Sequence, residues 1–511
     1  MAPIRYFYAP NYQHLLMKQW IYTLAAILAF GPAMAQNSQP AKPAAEGYEI
    51  VCNIKPYKNQ WLYLAYYYGG IKGLADSAFV SAQGTAVFKS AKPYPQGVYI
   101  LASPAKTILC EMLMGPNQHF TIAADTLNMD KSLTFGGSAE NALFLGYTRF
   151  VSSRAVVIDS LRKLQSESTD QARKKELQAA VEKPAKEIED YRKNVIKSSP
   201  DGLLSLLFKS MQDVEYPAEL RSPKNRQDTI AQYRYGKAHY WDNINLMDGR
   251  LVRTPIFEPK LRTYLESWVS PDPDSLIQEF NWMIALGRND PEMERYLVGY
   301  FIDNYINPKI MGQDKVFIHV YDRYVAGDKP KADWLNEKQL KTIRDRYYML
   351  VANQLGSPAW DMDLVDTAGK ARTLYSLNAR YTIISFWDVH CGKCREEIPK
   401  LDSLYKAEWK YMNVGVYAVM VNEESVKDWK PFIADHKLDP AWVHVHQTEA
   451  MRKEEEKAGK PNFRQLYDMR STPTLFLLDK DKKIIAKNIG LTDLDRVLKE
   501  KEKQQTGGKT N

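Results

Sequence analysis

Tyr381-Thr382-Ile383-Ile384-Ser385-Phe386-Trp387-Asp388-Val389-His390-Cys391-Gly392-Lys393-Cys394-Arg395-Glu396-Glu397-Ile398-Pro399 decides how the C-terminal part of the chain reads. The run Tyr381 to Phe386 has the β-branched and aromatic content of a buried strand, and Lys400-Leu401-Asp402-Ser403-Leu404-Tyr405 brings its leucines back at helical spacing. Two cysteines separated by two residues at a strand-to-helix junction can share the first turn of one helix. There the unpaired backbone N–H groups and the helix dipole favour a thiolate on the leading sulfur. Cys391 is therefore the expected exposed nucleophile, and Cys394, one turn in, the resolving thiol.

The same spacing serves zinc, but a zinc site needs four ligands, and no second C-x-x-C or Cys/His pair of comparable spacing is present. His444 and His446 stand at i, i+2, on one face of a strand, with no third ligand near them in sequence. They read as ordinary strand residues, and no metal site is expected.

Further features surround the two cysteines. Upstream lies a lead-in hairpin: Trp360 to Leu364, a turn at Asp366 to Gly369, then Arg372 to Leu374. Downstream comes Tyr467-Asp468-Met469-Arg470-Ser471-Thr472-Pro473-Thr474-Leu475-Phe476-Leu477-Leu478-Asp479. From about Leu355 onward the chain thus resembles the TlpA/ResA-like branch of the thioredoxin superfamily. The resemblance implies an α/β thioredoxin fold over residues 355–500, a redox-active Cys391–Cys394 disulfide in place of any cofactor, and thiol-disulfide oxidoreductase activity. It implies a cis Thr472-Pro473 bond, since only an X-Pro bond adopts cis cheaply. Such a kink would leave the Thr472 backbone free to pair with an extended substrate beside Cys391. Trp387, Thr472 and Pro473 are the expected substrate-binding residues.

Departures from the pattern carry information. His390 stands where this branch often has Trp, and the dipeptide between the cysteines is Gly392-Lys393. Both His390 and Lys393 would place positive charge beside the Cys391 sulfur, lowering its pKa and making the couple more oxidising, in a superfamily whose potentials run from roughly −270 to −120 mV. Opposing them, Glu397 matches a position where the family carries a buried glutamate. A carboxylate there favours protonated thiols and can relay a proton. The plainer readings are a solvated Lys393 and a surface Glu397.

The chain has 511 residues, enough for two to four domains, and a net charge of +8 from 69 basic and 61 acidic residues. The charge lies in mixed stretches without a basic patch interleaved with aromatics, so nucleic acid is not an expected partner. Only four cysteines argue against a disulfide-built scaffold. Met17-Lys18-Gln19-Trp20, the apolar Ile21 to Phe30 and Ala33-Met34-Ala35 read as a secretory signal cleaved between Ala35 and Gln36. Residues 1–16 then read as an upstream extension. The apolar core is short for a membrane span, although an uncleaved signal would leave a membrane-anchored form. Export places the dithiol in a bacterial periplasm.

Residues 36–47, rich in Pro and Ala, read as a linker. Residues 48–137 read as a β-rich sandwich-like domain of short strands, with Tyr48, Ile50, Cys52 and Ile54 alternating, and Thr107 to Met114 carrying Cys110. Cys52 and Cys110 are expected either as two inert core thiols or as one structural bridge. Residues 138–354 read as a helical domain, with a break forced at Pro184, and residues 501–511 as a disordered tail. The fold class expected is multidomain α+β, ending in the α/β thioredoxin fold. The combination resembles multidomain exported thioredoxin-like proteins of Bacteroidetes-type bacteria.

The function expected is a periplasmic thiol-disulfide oxidoreductase that reduces protein disulfides through a mixed disulfide, supplied with electrons by a membrane shuttle. Isomerase and oxidase directions stay open, and the oligomeric state is not specified. Two other classes compete. One is a ligand- or partner-binding sensor with a regulatory dithiol. The other is a thiol peroxidase, disfavoured because Trp387 to His390 offers no Thr or Ser beside the nucleophile.

Overall fold

Alternating apolar residues build the first part of the protein, seen in a computed structural model that describes residues 47–327 and 330–507. The expected signal, its upstream extension and most of the linker lie outside the described residues, as do residues 508–511. Eight strands follow in order: β1 (Tyr48–Lys55), β2 (Trp61–Tyr68), β3 (Ile71–Phe79), β4 (Ala86–Ser90), β5 (Gly97–Ala102), β6 (Ile108–Met114), β7 (His119–Asp125) and β8 (Thr134–Gly136). They form two four-stranded sheets, β4-β1-β7-β8 and β3-β2-β5-β6. Because side chains alternate along a strand, Ile50, Cys52 and Ile54 of β1 all turn inward, onto one core with Leu64, Leu101, Cys110 and Met112. Strand β3 escapes a periodicity reading: Ile71, Leu74 and Phe79 are exposed and only Ala78 is buried.

The helices Ala139–Glu167 and Gln171–Ser198 come next. The first is capped by Ser138, which accepts the Asn141 N–H at 3.3 Å. The break expected at Pro184 falls elsewhere. Pro184 sits buried inside the second helix, and the chain turns at 168–170, where Asp170 caps the new start by accepting the Ala172 N–H at 2.9 Å. A capped turn and a buried apolar face outweigh the one backbone hydrogen bond that proline removes.

A further sheet has seven strands, β9 (Asp363–Asp366), β10 (Ala371–Thr373), β11 (Tyr381–Trp387), β12 (Val414–Met420), β13 (Val443–His446), β14 (Thr474–Leu478) and β15 (Ile484–Ile489). Their order is β10-β9-β13-β12-β11-β14-β15. Every residue of β11 is buried, as its β-branched and aromatic run requires. It pairs in parallel with β12 and antiparallel with β14. Ile383 and Trp387 face the helix Gly392–Ala407 through Cys394, Ile398 and Leu401. Ile384 and Phe386 face Phe463 and Tyr467 on the opposite side.

Contacts divide the described residues into two compact units, one running to residue 268 and taking in 285–296, the other made of 269–284 and the residues from 297 onward. The helices Asp314–Tyr324 and Glu337–Val351 therefore belong with the seven-stranded sheet, whereas composition alone groups them with the preceding helices. A buried ion pair joins them: Lys487 Nζ of β15 meets Asp314 Oδ2 at 2.7 Å and donates to Asn353 O at 2.8 Å and Asn353 Oδ1 at 2.7 Å. The last helix, Leu491–Gly507, runs through much of the segment expected as a tail, and Arg380 holds Glu502 at 2.8 Å. Among the described residues, no helix is long and apolar enough to cross a membrane.

Candidate active site

β11 ends at Trp387, and the chain turns through Asp388-Val389-His390 into the helix Gly392–Ala407. Asp388 shapes the turn: its Oδ1 accepts the His390 N–H at 2.9 Å and its carbonyl accepts the Cys391 N–H at 3.2 Å. Cys391 is the helix N-cap, a position usually held by an oxygen-bearing side chain. Its sulfur takes that part, accepting the Cys394 N–H at 3.3 Å. The Cys391 thiol also donates to the Thr472 carbonyl at 3.3 Å, so the segment before β14 meets the helix start. The Thr472-Pro473 bond is cis.

The two thiols differ sharply in environment. Cys391 is half-buried, whereas Cys394 is fully buried in the core with Trp387 and Ile398. Burial pushes the Cys394 thiol up to about 12, and the adjacent Cys391 sulfur adds to the rise. Burial also opposes ionisation of Cys391. There the Cys394 thiol, the Thr472 side chain and the N–H groups of Cys394 and Lys393 outweigh it, holding the pKa below the ordinary thiol range. The contact with the Thr472 carbonyl favours the protonated form, but it is one group against several.

The family of the sheet domain follows from its matches. The AhpC/TSA family matches residues 355–487, and a domain of unknown function, DUF5106, matches residues 162–353. A "Thiol-disulfide oxidoreductase ResA" from Bacillus cereus is 29% identical over 139 residues, covering 27% of this chain and 70% of the relative.

Residues 355–487 form a thioredoxin-like domain of the AhpC/TSA family.

Among solved structures, a domain of a possible thiol-disulfide isomerase from Cytophaga hutchinsonii is 35% identical, covering 30% of this chain and 96% of its own, with a TM-score of 0.26. A thioredoxin-like protein from Bacteroides caccae is 20% identical, covering 56% and 97%, with a TM-score of 0.42.

In this thioredoxin-like domain the other expected site residues fall in different places. Trp387, an expected substrate contact, is instead fully buried and packs on Phe432 at 5.3 Å, so it supports the helix start from within the core. His390 is exposed, and its Nε2 lies 3.0 Å from Asp428 Oδ2. Asp428 therefore offsets charge that His390 would bring to the sulfur, a partner some forty residues away that no local pattern announces. Lys393 reaches forward to Glu397 at 3.9 Å, one helical turn on, and its backbone N–H is among the groups that lower the Cys391 pKa. Glu397 is half-buried and lines a narrow crevice with Ile398, Leu401, Pro473, Leu475 and Leu491. Thr472 and Pro473 are half-exposed beside Cys391.

His444 and His446 lie on β13, beside Trp429 at 6.5 Å and 5.4 Å between ring centres. Burial pushes His444 down to about 4, which keeps it neutral. Among the described residues, no group of three or more His, Cys, Asp or Glu is placed to hold a metal ion. Cys52 and Cys110 are free thiols buried in the N-terminal sandwich core.

Proposed function

We propose that the protein is an exported thiol-disulfide oxidoreductase that reduces protein disulfides with the Cys391/Cys394 dithiol. The observation that supports this best is the asymmetry at one helix start: an accessible sulfur held towards the thiolate, one turn from a buried neutral thiol, with the Thr472 backbone alongside. The name carried by the Bacillus cereus relative agrees with it.

In the forward step the Cys391 thiolate attacks one sulfur of a substrate disulfide. The substrate S–S bond breaks, the departing sulfur takes a proton, and a Cys391–substrate disulfide forms. Loss of the Cys391 charge removes one cause of the high Cys394 pKa. Glu397, three residues beyond Cys394 on the same helix, takes the Cys394 proton as Cys394 attacks Cys391 Sγ, and the second substrate sulfur leaves and takes up a proton. Two electrons have then passed to the substrate, and the protein holds a Cys391–Cys394 disulfide. A dithiol shuttle from the membrane must return them. No backbone partner holds the Thr472 N–H among the described residues, so an extended substrate can pair there. Trp387 acts only through packing. Export follows from the Met17 to Ala35 segment, with a mature chain starting at Gln36.

Turnover of a protein disulfide by the reduced chain, with a dithiol donor in excess, is the test. The expected result is multiple turnovers that vanish in Cys391→Ser. A single stoichiometric oxidation without turnover would favour the sensor reading, and faster oxidation by hydrogen peroxide than by a disulfide would favour a peroxidase.

A further inference from the structure

The segment that brings Thr472 to Cys391 is held from outside the thioredoxin-like domain. Its pivot is Asp468, buried, with a left-handed φ of 46°, a region that Asp enters more readily than most L residues. The Asp468 carboxylate receives both terminal nitrogens of Arg346, one of them at 2.9 Å, and Arg470 Nε at 3.2 Å. Arg346 belongs to the helix Glu337–Val351, within the segment matched by DUF5106. Its own Nε donates to Ile306 O at 2.9 Å and to Asn307 Oδ1 at 3.2 Å, and Arg470 donates to the same Asn307 oxygen at 2.5 Å. Arg346, Asp468, Arg470 and Asn307 thus close a ring. Both arginines share one carboxylate and one amide oxygen, with Arg346 and Asp468 only 11% and 5% exposed.

Two residues beyond Arg470 stands Thr472, whose carbonyl accepts the Cys391 thiol, and Thr474 Oγ1 donates to Ser471 O at 2.6 Å to tie the far side of the same segment. A planar guanidinium that grips a carboxylate with two nitrogens fixes direction as well as distance. We propose that Arg346 is a positioning residue for substrate recognition: acting through Asp468, it holds residues 468–472 in register with Cys391 so that an extended polypeptide disulfide can pair with Thr472. This rests on the oxidoreductase reading. It gives the helix before the thioredoxin-like domain a task in binding the peptide around a disulfide rather than in the sulfur chemistry.

The test uses the full chain and two substrates, a disulfide between extended peptides and the small aromatic disulfide 5,5′-dithiobis(2-nitrobenzoate), which has no backbone to pair. Arg346→Gln should raise KM for the peptide disulfide about tenfold, with kcat, the small-disulfide rate and the pH midpoint of Cys391 alkylation unchanged. Arg346→Lys should not rescue it, because a lysine cannot grip bidentately. Asp468→Asn should give the same selective loss, and combining it with Arg346→Gln should add little, as expected for residues acting as one unit. Equal losses on both substrates, or none on the peptide, would overturn the proposal. Should Arg346→Gln fail to fold, Asn307→Ala opens the ring without stranding a buried charge. A KM-selective loss there supports the role, and unchanged peptide kinetics overturns it. No turnover of either disulfide by the unaltered chain would overturn the oxidoreductase reading, and this role with it.

Discussion

The sulfur of Cys391 caps the helix that contains Cys394, accepting its backbone N–H at 3.3 Å, while the sulfur of Cys394 is sealed in the core. One residue is thus a helix cap and, in the proposed reaction, the nucleophile, and its buried partner is placed to react second.

That order makes the two serine variants fail differently. Cys391→Ser should form no mixed disulfide with substrate, whereas Cys394→Ser should attack and be unable to release. Non-reducing gels of the second variant should show disulfide-linked complexes, and mass spectrometry should identify the captured protein. Trapping by Cys391→Ser alone would reverse the assignment.

Alkylation against pH should report the environment of each sulfur. Cys391 should react half-maximally below the free-thiol value of about 8.5, because the N–H groups and thiol around it favour the thiolate. Neutralising Lys393 to Met should move that midpoint little, since its ammonium pairs with Glu397 at 3.9 Å. A large upward shift in this variant would mean that the lysine ammonium, and not the backbone N–H groups, stabilises the thiolate.

The stability of the reduced protein should fall in alkali. Burial raises Cys394 and Cys52 to about 12 in the folded state. Thiols of the unfolded chain ionise near about 8.5, so between these values the unfolded chain binds fewer protons and gains. The contribution is full below the unfolded value and disappears as pH rises towards the folded one. Thermal midpoints of the reduced chain should decline across this window. Oxidation of the Cys391–Cys394 pair removes both of its thiols, including the raised Cys394 thiol that feeds the decline, and should make the decline shallower, and a steeper decline on oxidation would contradict a high folded-state pKa for Cys394.

Asp314→Ala should destabilise the unit that contains the seven-stranded sheet. It leaves Lys487 buried with only the Asn353 oxygens as partners, and removing one member of a buried pair costs about 3–5 kcal/mol. Urea unfolding followed by tryptophan fluorescence would measure it. A change under about 0.5 kcal/mol, the scale of a surface substitution, would show that the pair does not hold the helix Asp314–Tyr324 to β15.

Cys52→Ser with Cys110→Ser should cost stability without touching turnover per folded molecule. Each buried hydroxyl without a partner costs about 1–3 kcal/mol, and neither thiol belongs to the site. Loss of turnover in a well-folded double variant would reveal a second redox centre in the sandwich.

Much of this was legible in the chain itself, because it depends on residues near one another. The all-buried run Tyr381 to Trp387 announces a central strand, the spacing of Cys391 and Cys394 places them on one helical turn, and the alternation around Cys52 announces a sheet. What only the tertiary structure decided depends on partners distant in sequence. Asp428 faces His390, Arg346 grips Asp468, and Lys487 is buried against Asp314, each pair joined across a span that periodicity does not register. Trp387 sits beside the cysteines in sequence yet points into the core, since successive strand residues face opposite ways and its face is the one the helix covers. Local pattern sets which groups exist and how the chain runs through them; the enclosure of each group, and hence its charge and reach, is set by what folds on top of it.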